Sequence, residues 1–325
     1  MVATGRFRWT VGVTLLYMDD TFLQHDTGEH PECAARLESI HRRLRAEGML
    51  SQVTRQPTVA ANLKDLTRWH AADYLEWLRA TALAGGGRVE RDTMMSSQSA
   101  VAAWKAAGSL IDAVERVVGG EQSQALCLIR PPGHHALMDA PMGFCLLSNV
   151  AIAAKVAVER LGLSRVLIVD WDVHHGNGTQ DAVYDDERIS FFSAHRFPFY
   201  PGTGRKSETG RAAGLGTIFN LPLKFGISRL DLLTAFEREL TKAADRCRPE
   251  LVIISAGFDA HAEDPIGSLG LETQDFAELT SLVQQVAKTH ANGRLVSSLE
   301  GGYNVDRLAD CVELHLETLL ADGRQ

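Results

Sequence analysis

The chain has 325 residues, 45% hydrophobic and 23% charged, an ordinary globular composition that can bury a large core without disulfides. Lysine and arginine number 33 against 41 aspartates and glutamates, a formal charge of −8, and with no basic run this argues against a nucleic-acid binder that tracks phosphates. The five cysteines, Cys33, Cys127, Cys145, Cys247 and Cys311, are scattered and form no CxxC pair; they read as reduced thiols of a cytoplasmic protein, and no run approaches the roughly 18–20 apolar residues of a membrane span.

In chain order, Arg6 and Arg8 precede the run "WTVGVTLLYM". It is short, no small-residue cleavage site follows, and Asp19-Asp20 end it, so a first strand over 13–17 is expected rather than a signal peptide. The glycine-rich piece 84–88 reads as a surface loop. A helix is expected over 97–118, with Val101, Trp104, Ala107, Leu110, Ile111 and Val114 near helical spacing and Gly119-Gly120 as its stop. Further strands are expected at 125–129, 165–169, 189–193, 217–221, 251–255 and 294–299. Helical patterns open with a Ser-Asn cap at 148 and recur at 228–247, 273–293 and 304–321, while 210–216 reads as a second glycine-rich surface loop. The strands are rich in Val, Ile, Leu and Phe with little alternation, which suits strands covered on both faces. Strands alternating with helices predict an α/β fold with a parallel sheet. No repeat, low-complexity tract or long linker divides the chain, so residues 1–325 read as one domain.

Ligands of an open parallel sheet bind beyond the carboxyl ends of its strands. Four strands are followed there by polar tails: "RPPGHHALMDAPMGFC", "DWDVHHGNG", "AGFDAHAEDP" and "EGGYN". In extended backbone Asp170, Asp172 and His174 share one face. Asp172 and His174 then make plausible metal ligands, with Asp259 as a third. Three protein ligands and an open position suit catalytic zinc, although an Asp/Asp/His set also admits iron or cobalt. The plainer reading has Asp170 and Asp172 capping a helix near Thr179, with His174 and His175 on the surface. His134 and His135, held on a stiff Pro-Pro-Gly turn, suit general acid–base work, or else one of them is a metal ligand or a buried donor. Tyr303, after two glycines, can donate to a developing oxyanion, or it is a core tyrosine after a turn.

The segments "RPPGHHA", "GFC", "DWDVHHGNGTQ", "FYPGTG", "SAGFDAH" and "LEGGYN", together with "GEHPE" and Arg36, resemble the signature set of the zinc-dependent histone deacetylase superfamily. The wording is similar to that of its class II branch and the bacterial deacetylase-like and acetylpolyamine amidohydrolases, and the matches run in order from about His30 to Asn304. The resemblance implies a three-layer α/β/α arginase-like domain around a central parallel sheet. It implies one zinc ion (Zn2+) per chain on Asp172, His174 and Asp259. His135 would be the main general base and then acid, His134 an electrostatic partner oriented by Asp170, and Asn177 the neutral partner of His135. Tyr303 would hydrogen-bond the oxyanion. Gly143, Phe144 and Tyr200 would line a narrow tube for an aliphatic amine stem, with Gly302 beside Tyr303. Arg36 resembles an arginine of an internal acetate-release channel. A structural potassium ion (K+) would sit at Asp170, Ser193 and Ala194.

The reaction implied is hydrolysis of N-acyl-lysine or an N-acylated alkylamine. Ile266 occupies the position after Asp-Pro where one polyamine-deacetylase subclass carries Glu, which removes one reason to favour acetylpolyamines. His195, Phe197 and Phe199 read as rim or as core. A dimetal ureohydrolase would need further ligands and leave Tyr303 without a task, and a silent acyl-amine binder would typically have lost one of these groups. A homo-oligomer stays open.

Overall fold

The computed structural model describes residues 14–322; Arg6 and Arg8 lie outside them. The strands are β1 (Leu15–Tyr17), β2 (Thr54–Gln56), β3 (Gly86–Arg88), β4 (Met94–Ser96), β5 (Gln124–Cys127), β6 (Val166–Asp170), β7 (Ile189–Arg196), β8 (Ile218–Leu223), β9 (Leu251–Ala256) and β10 (Leu295–Leu299). The helices are α1 (Ala35–Ala46), α2 (Leu63–Leu66), α3 (Ala72–Leu83), α4 (Ser99–Gly119), α5 (Asn149–Glu159), α6 (Asn177–Val183), α7 (Arg229–Cys247), α8 (Thr273–His290) and α9 (Val305–Asp322).

Eight strands form one parallel sheet in the order β2-β1-β5-β10-β9-β6-β7-β8. The inner strands are buried along their whole length, as the unbroken Val/Ile/Leu runs require when helices cover both faces. On the helical layers α4 packs on α5, and α1, α9, α8 and α7 pack in series. The three-layer α/β/α arrangement is therefore present. The four strands with polar tails, β5, β10, β9 and β6, are direct neighbours at the sheet centre. Successive crossovers leave from this point in both directions, and such a switch in strand order opens a crevice at the carboxyl edge.

Several sequence expectations need adjustment. Residues 84–88 are not only loop: Gly86–Arg88 pair antiparallel with Met94–Ser96, and the missing side chains of Gly86 and Gly87 concealed this strand. Residues 210–216 contain a 3-10 turn at Ala212–Gly214. Edge strand β2, three polar residues long, carried no apolar signal. Within α4, Trp104, Ala107, Leu110, Ile111 and Val114 are buried while Val101 is half exposed. All five cysteines are free, four of them buried. Among the described residues no helix is long and apolar enough to cross a membrane.

Two core histidines tie segments distant in the chain to one another. His315 on α9 bridges Thr280 Oγ1 (2.7 Å) and Ser297 Oγ (2.9 Å), and His70 Nε2 accepts the Ser148 N–H at 2.9 Å. Burial lowers His315 to about 3 and His70 to about 4. Both are therefore neutral in the fold, while the unfolded chain protonates near pH 6.5. Their contribution is complete above that pH and is lost as pH falls towards the folded values. Urea titrations between pH 7.5 and 4.5 should show stability dropping by about 1.4 kcal/mol per pH unit for each histidine below about pH 6. His315→Gln should flatten that slope, and an unchanged slope would refute the assignment.

Candidate active site

The tail of β6 leaves the sheet at Asp170 and turns by folding its carboxylates back on its own amides. Asp170 Oδ1 accepts the Asp172 N–H (3.0 Å), and Asp172 Oδ1 accepts the His174 N–H (2.9 Å). The next strand tails close on this turn. Gly301 donates its N–H to Asp172 Oδ2 at 2.9 Å, and Val173 donates to Asp259 Oδ1 at 2.8 Å. Neither aspartate of the β6 tail caps α6, and His174 and His175 are buried rather than exposed, so the capping reading fails.

Asp172, His174 and Asp259 each offer a ligand atom within 4.8 Å of the others, all three buried. His174 Nδ1 lies 3.0 Å from Asp172 Oδ1 and 3.1 Å from Asp259 Oδ2. Asp259 Oδ2 has no hydrogen-bond donor although it is sealed from solvent. An orphaned buried carboxylate oxygen beside a second carboxylate is unfavourable unless a cation takes it up. Burial, reinforced by the Asp172 charge, pushes Asp259 up to about 7. Burial opposes protonation of His174, yet the hydrogen bond to Asp172 and the adjacent Asp259 carboxylate raise it to about 10. The donor set, two carboxylates and one imidazole, fits a divalent transition ion with a position left open.

The imidazole pair on the β5 tail is asymmetric. The two rings lie 4.0 Å apart. His134 Nδ1 is 3.1 Å from Asp170 Oδ2, and His134 stands outside the three-ligand cluster. His135 Nδ1 is 2.7 Å from Asn177 Oδ1, an oxygen that can only accept, so that nitrogen carries the proton and Nε2 keeps its lone pair. Burial disfavours charge on His134, but Asp172 and Asp170 raise it to about 10. Burial lowers His135, and the neighbouring imidazoles His134 and His174 lower it further.

Rings line the approach. Phe144 meets Tyr303 edge-on with centroids 5.7 Å apart, and Tyr200 meets His135 at 5.2 Å and His174 at 5.9 Å. Gly143 adopts φ +53°, and a Cβ there would sit 2.5 Å from His135 Cδ2, so only glycine lets the loop lie against the His135 ring. Tyr303 is half-buried rather than core, beside the buried Gly302. Phe199 stacks on His174 at 5.2 Å and so belongs to the site; His195 is core, bonded to Ser193 Oγ and the Gly204 carbonyl. Phe197 is half-buried, with the Arg205 guanidinium 5.7 Å from its ring centre. Ile266 is half-buried in a turn of the β9 tail. Asp170 faces Ser193 across the β6–β7 pair, with Ala194 next in the strand. Arg36 is fully buried and donates to the carbonyls of Glu300 (2.5 Å) and Gly302 (2.6 Å).

Three acidic residues escaped the sequence reading. Glu300 accepts the Gly133 N–H at 2.7 Å and the His134 N–H at 3.2 Å, and also the Ser255 hydroxyl. Asp264 accepts four backbone N–H groups from two loops. Glu32 bridges Arg36 and Arg130, all three fully buried. The signal was present in the acidic letters of "LEGGYN", "AEDP" and "GEHPE", but their partners are backbone groups or residues distant in the chain.

Residues 30–319 match the histone deacetylase domain. The chain is 39% identical over 279 residues to a histone deacetylase-like amidohydrolase of Pseudomonas aeruginosa, covering 85% of this chain and 72% of that protein. It is 36% identical over 331 residues to the human polyamine deacetylase HDAC10, covering 96% of this chain and 48% of that larger protein. Its fold superposes on the crystal structure of the HDA15 HD domain with a TM-score of 0.91 at 32% identity, covering 97% of this chain and 90% of the other.

A Cβ on Gly301 would lie 2.4 Å from Asp259 Oδ2 and 2.5 Å from Asp172 Oδ2. With Zn2+ as the probe for a divalent cation at this cluster, Gly301→Ala is expected to weaken binding about 10-fold or more, measured by competition with a chromophoric chelator. Wild-type affinity would show that these two oxygens do not form the cation's cradle.

Proposed function

The chain belongs to the histone deacetylase family, and from that premise we propose that it is a zinc-dependent amidohydrolase removing acetyl groups from N-acyl-lysine side chains or N-acylated alkylamines. The observation that carries this reading is the buried Asp172/His174/Asp259 cluster, faced by one imidazole raised towards the charged form and one held neutral. A divalent cation held by those three side chains supplies Lewis acidity towards a carbonyl oxygen and lowers the pKa of a water.

The remaining chemistry falls to the chain's own groups. His135 Nε2, free because Nδ1–H points at Asn177, takes the proton from the attacking water and returns it to the leaving amine nitrogen. His134, charged and oriented by Asp170, adds a positive field without losing its proton. Tyr303 donates its hydroxyl to the oxygen on which charge develops; burial raises its pKa, so it keeps the proton it needs to donate. Phe144 and Tyr200 hold an extended alkyl stem and exclude water from the reacting bond. A potassium ion at Asp170, Ser193 and Ala194 would stiffen the turn that carries Asp172 and His174. The acetylpolyamine alternative rests on the likeness to HDAC10; Ile266 in place of an acid gives no charge to select a polyamine.

Asp172→Ala should lose bound zinc and turnover together, read by elemental analysis of the purified protein and by acetate release. A metallated, active variant would overturn the ligand set. Tyr303→Phe and His135→Ala should each lower kcat by about 10²–10⁴-fold with one zinc per chain retained; near-normal rates in both would remove their roles. Acetyl-lysine peptides and acetylpolyamines assayed side by side decide between the two substrate classes.

A further inference from the structure

The tail of β10 carries Tyr303 on a backbone that has little of its own to hold it. Two glycines precede the tyrosine, and Gly302 adopts φ +120°, where a Cβ would lie 2.9 Å from Leu308 Cδ1. Such a segment is mobile unless its polar groups are tied down. Gly301 is bonded to Asp172 and Phe258; beyond it the segment is tied by Arg36, by Asp264 and by its own Asn304, whose Nδ2 donates to the Glu263 carbonyl at 3.1 Å. Arg36 Nε donates to the Gly302 carbonyl at 2.6 Å. On the other side the Tyr303 N–H donates to Asp264 Oδ2 at 2.7 Å, with the Asn304 N–H further out at 3.4 Å.

Asp264 is nearly buried, and its second oxygen, Oδ1, accepts the N–H groups of Ile266 and Gly267, both at 2.9 Å. That turn continues the loop carrying Asp259: the Ser268 N–H bonds the Asp259 carbonyl at 2.7 Å. One carboxylate thus spans the loop with a ligand of the cation cluster and the loop with the phenol. A carboxylate accepting several amide N–H groups is held in one orientation by charge-assisted bonds.

We propose that Asp264 is a positioning residue: it sets the distance between the Tyr303 hydroxyl and the Asp172/His174/Asp259 cluster by clamping the Tyr303 amide to the β9 tail. It touches neither substrate nor cation and acts only through the tyrosine. The inference rests on the reading of Tyr303 as the oxyanion donor. A displacement of about 1 Å at such a donor lowers rate by about 10²-fold. Asp264→Asn keeps the side chain's size but retains one oxygen for two pairs of amides, so the clamp on one loop is lost.

A double-mutant cycle tests this, because groups acting as one unit are non-additive. Asp264→Asn, Tyr303→Phe and the double variant are assayed on one acetyl-lysine peptide, with zinc content measured for each. Asp264→Asn is expected to lower kcat about 10–100-fold, to leave KM within about 3-fold, and to keep one zinc per chain. In the Tyr303→Phe background it is expected to cost nothing further. If Asp264→Asn does not fold, Asp264→Ser, with a smaller acceptor, enters the same cycle. An equal loss in both backgrounds, an effect confined to KM, or loss of zinc would overturn the proposal while leaving the tyrosine's role intact. Should Tyr303→Phe alone turn over normally, the oxyanion reading fails and the clamp has nothing to position.

Discussion

Four carboxyl groups, Asp170, Asp172, Asp259 and Glu300, are buried together at the carboxyl edge of β6, β9 and β10, and the architecture of the site follows from making that tolerable. Isolated buried carboxylates are too costly to persist ionised. Here each is compensated differently. Asp170 faces a charged imidazole at 3.1 Å. Asp172 accepts two backbone amides and is held well below the usual carboxylate range, because the His134 and His174 imidazoles outweigh its burial. Glu300, left to its amides and a hydroxyl, is pushed up by burial to about 7. Asp259 keeps one bare oxygen, and that oxygen completes the three-ligand cluster.

The same carboxylates staple the edge. Segments around residues 133, 172, 259 and 301 are far apart in the chain, and none is in regular structure at the point where it carries chemistry. Their mutual geometry is set by side-chain oxygens receiving amides from other loops: Glu300 to Gly133 and His134, Asp172 to Gly301, Asp259 to Val173, Asp264 to Tyr303. The glycines among these tails serve the same end. At Gly301 any Cβ would occupy the space between Asp172 and Asp259, so the backbone itself forms one wall of the cradle.

Much of this was legible before the fold was known. Runs of Val, Ile, Leu and Phe with little alternation mark buried parallel strands, and the tails that follow converge because parallel strands share a direction. That argument brought Asp172, His174, Asp259, His134, His135 and Tyr303 to one edge without any structural knowledge. It could not reach the hairpin at Gly86–Arg88, whose glycines carry no hydrophobic period, nor β2, an edge strand of polar residues. Asp264 and Glu300 were equally hidden. A carboxylate whose partners are backbone amides leaves no complementary letter in the chain. The partners of the Glu32–Arg36–Arg130 group span 98 positions between Glu32 and Arg130, beyond any local pattern.

The asymmetry of the two imidazoles shows how little sequence separates two chemical roles. His134 and His135 are adjacent, both buried, and each hydrogen-bonds through Nδ1 to an oxygen on the β6 tail or α6. The difference lies in that oxygen's charge. Asp170 brings a full negative charge to His134, which Asp172 reinforces, and the ring favours its protonated form. Asn177 brings a dipole only. It fixes the same tautomer in His135 but cannot offset burial and the charge of the ring beside it, so His135 stays neutral with Nε2 available. An aspartate at position 177 would hold the ring equally well, yet it would add a fifth buried carboxylate and draw His135 towards the charged state, where it has no lone pair to accept a proton. A neutral partner at 177 therefore leaves one histidine held towards its charged form and its neighbour held neutral.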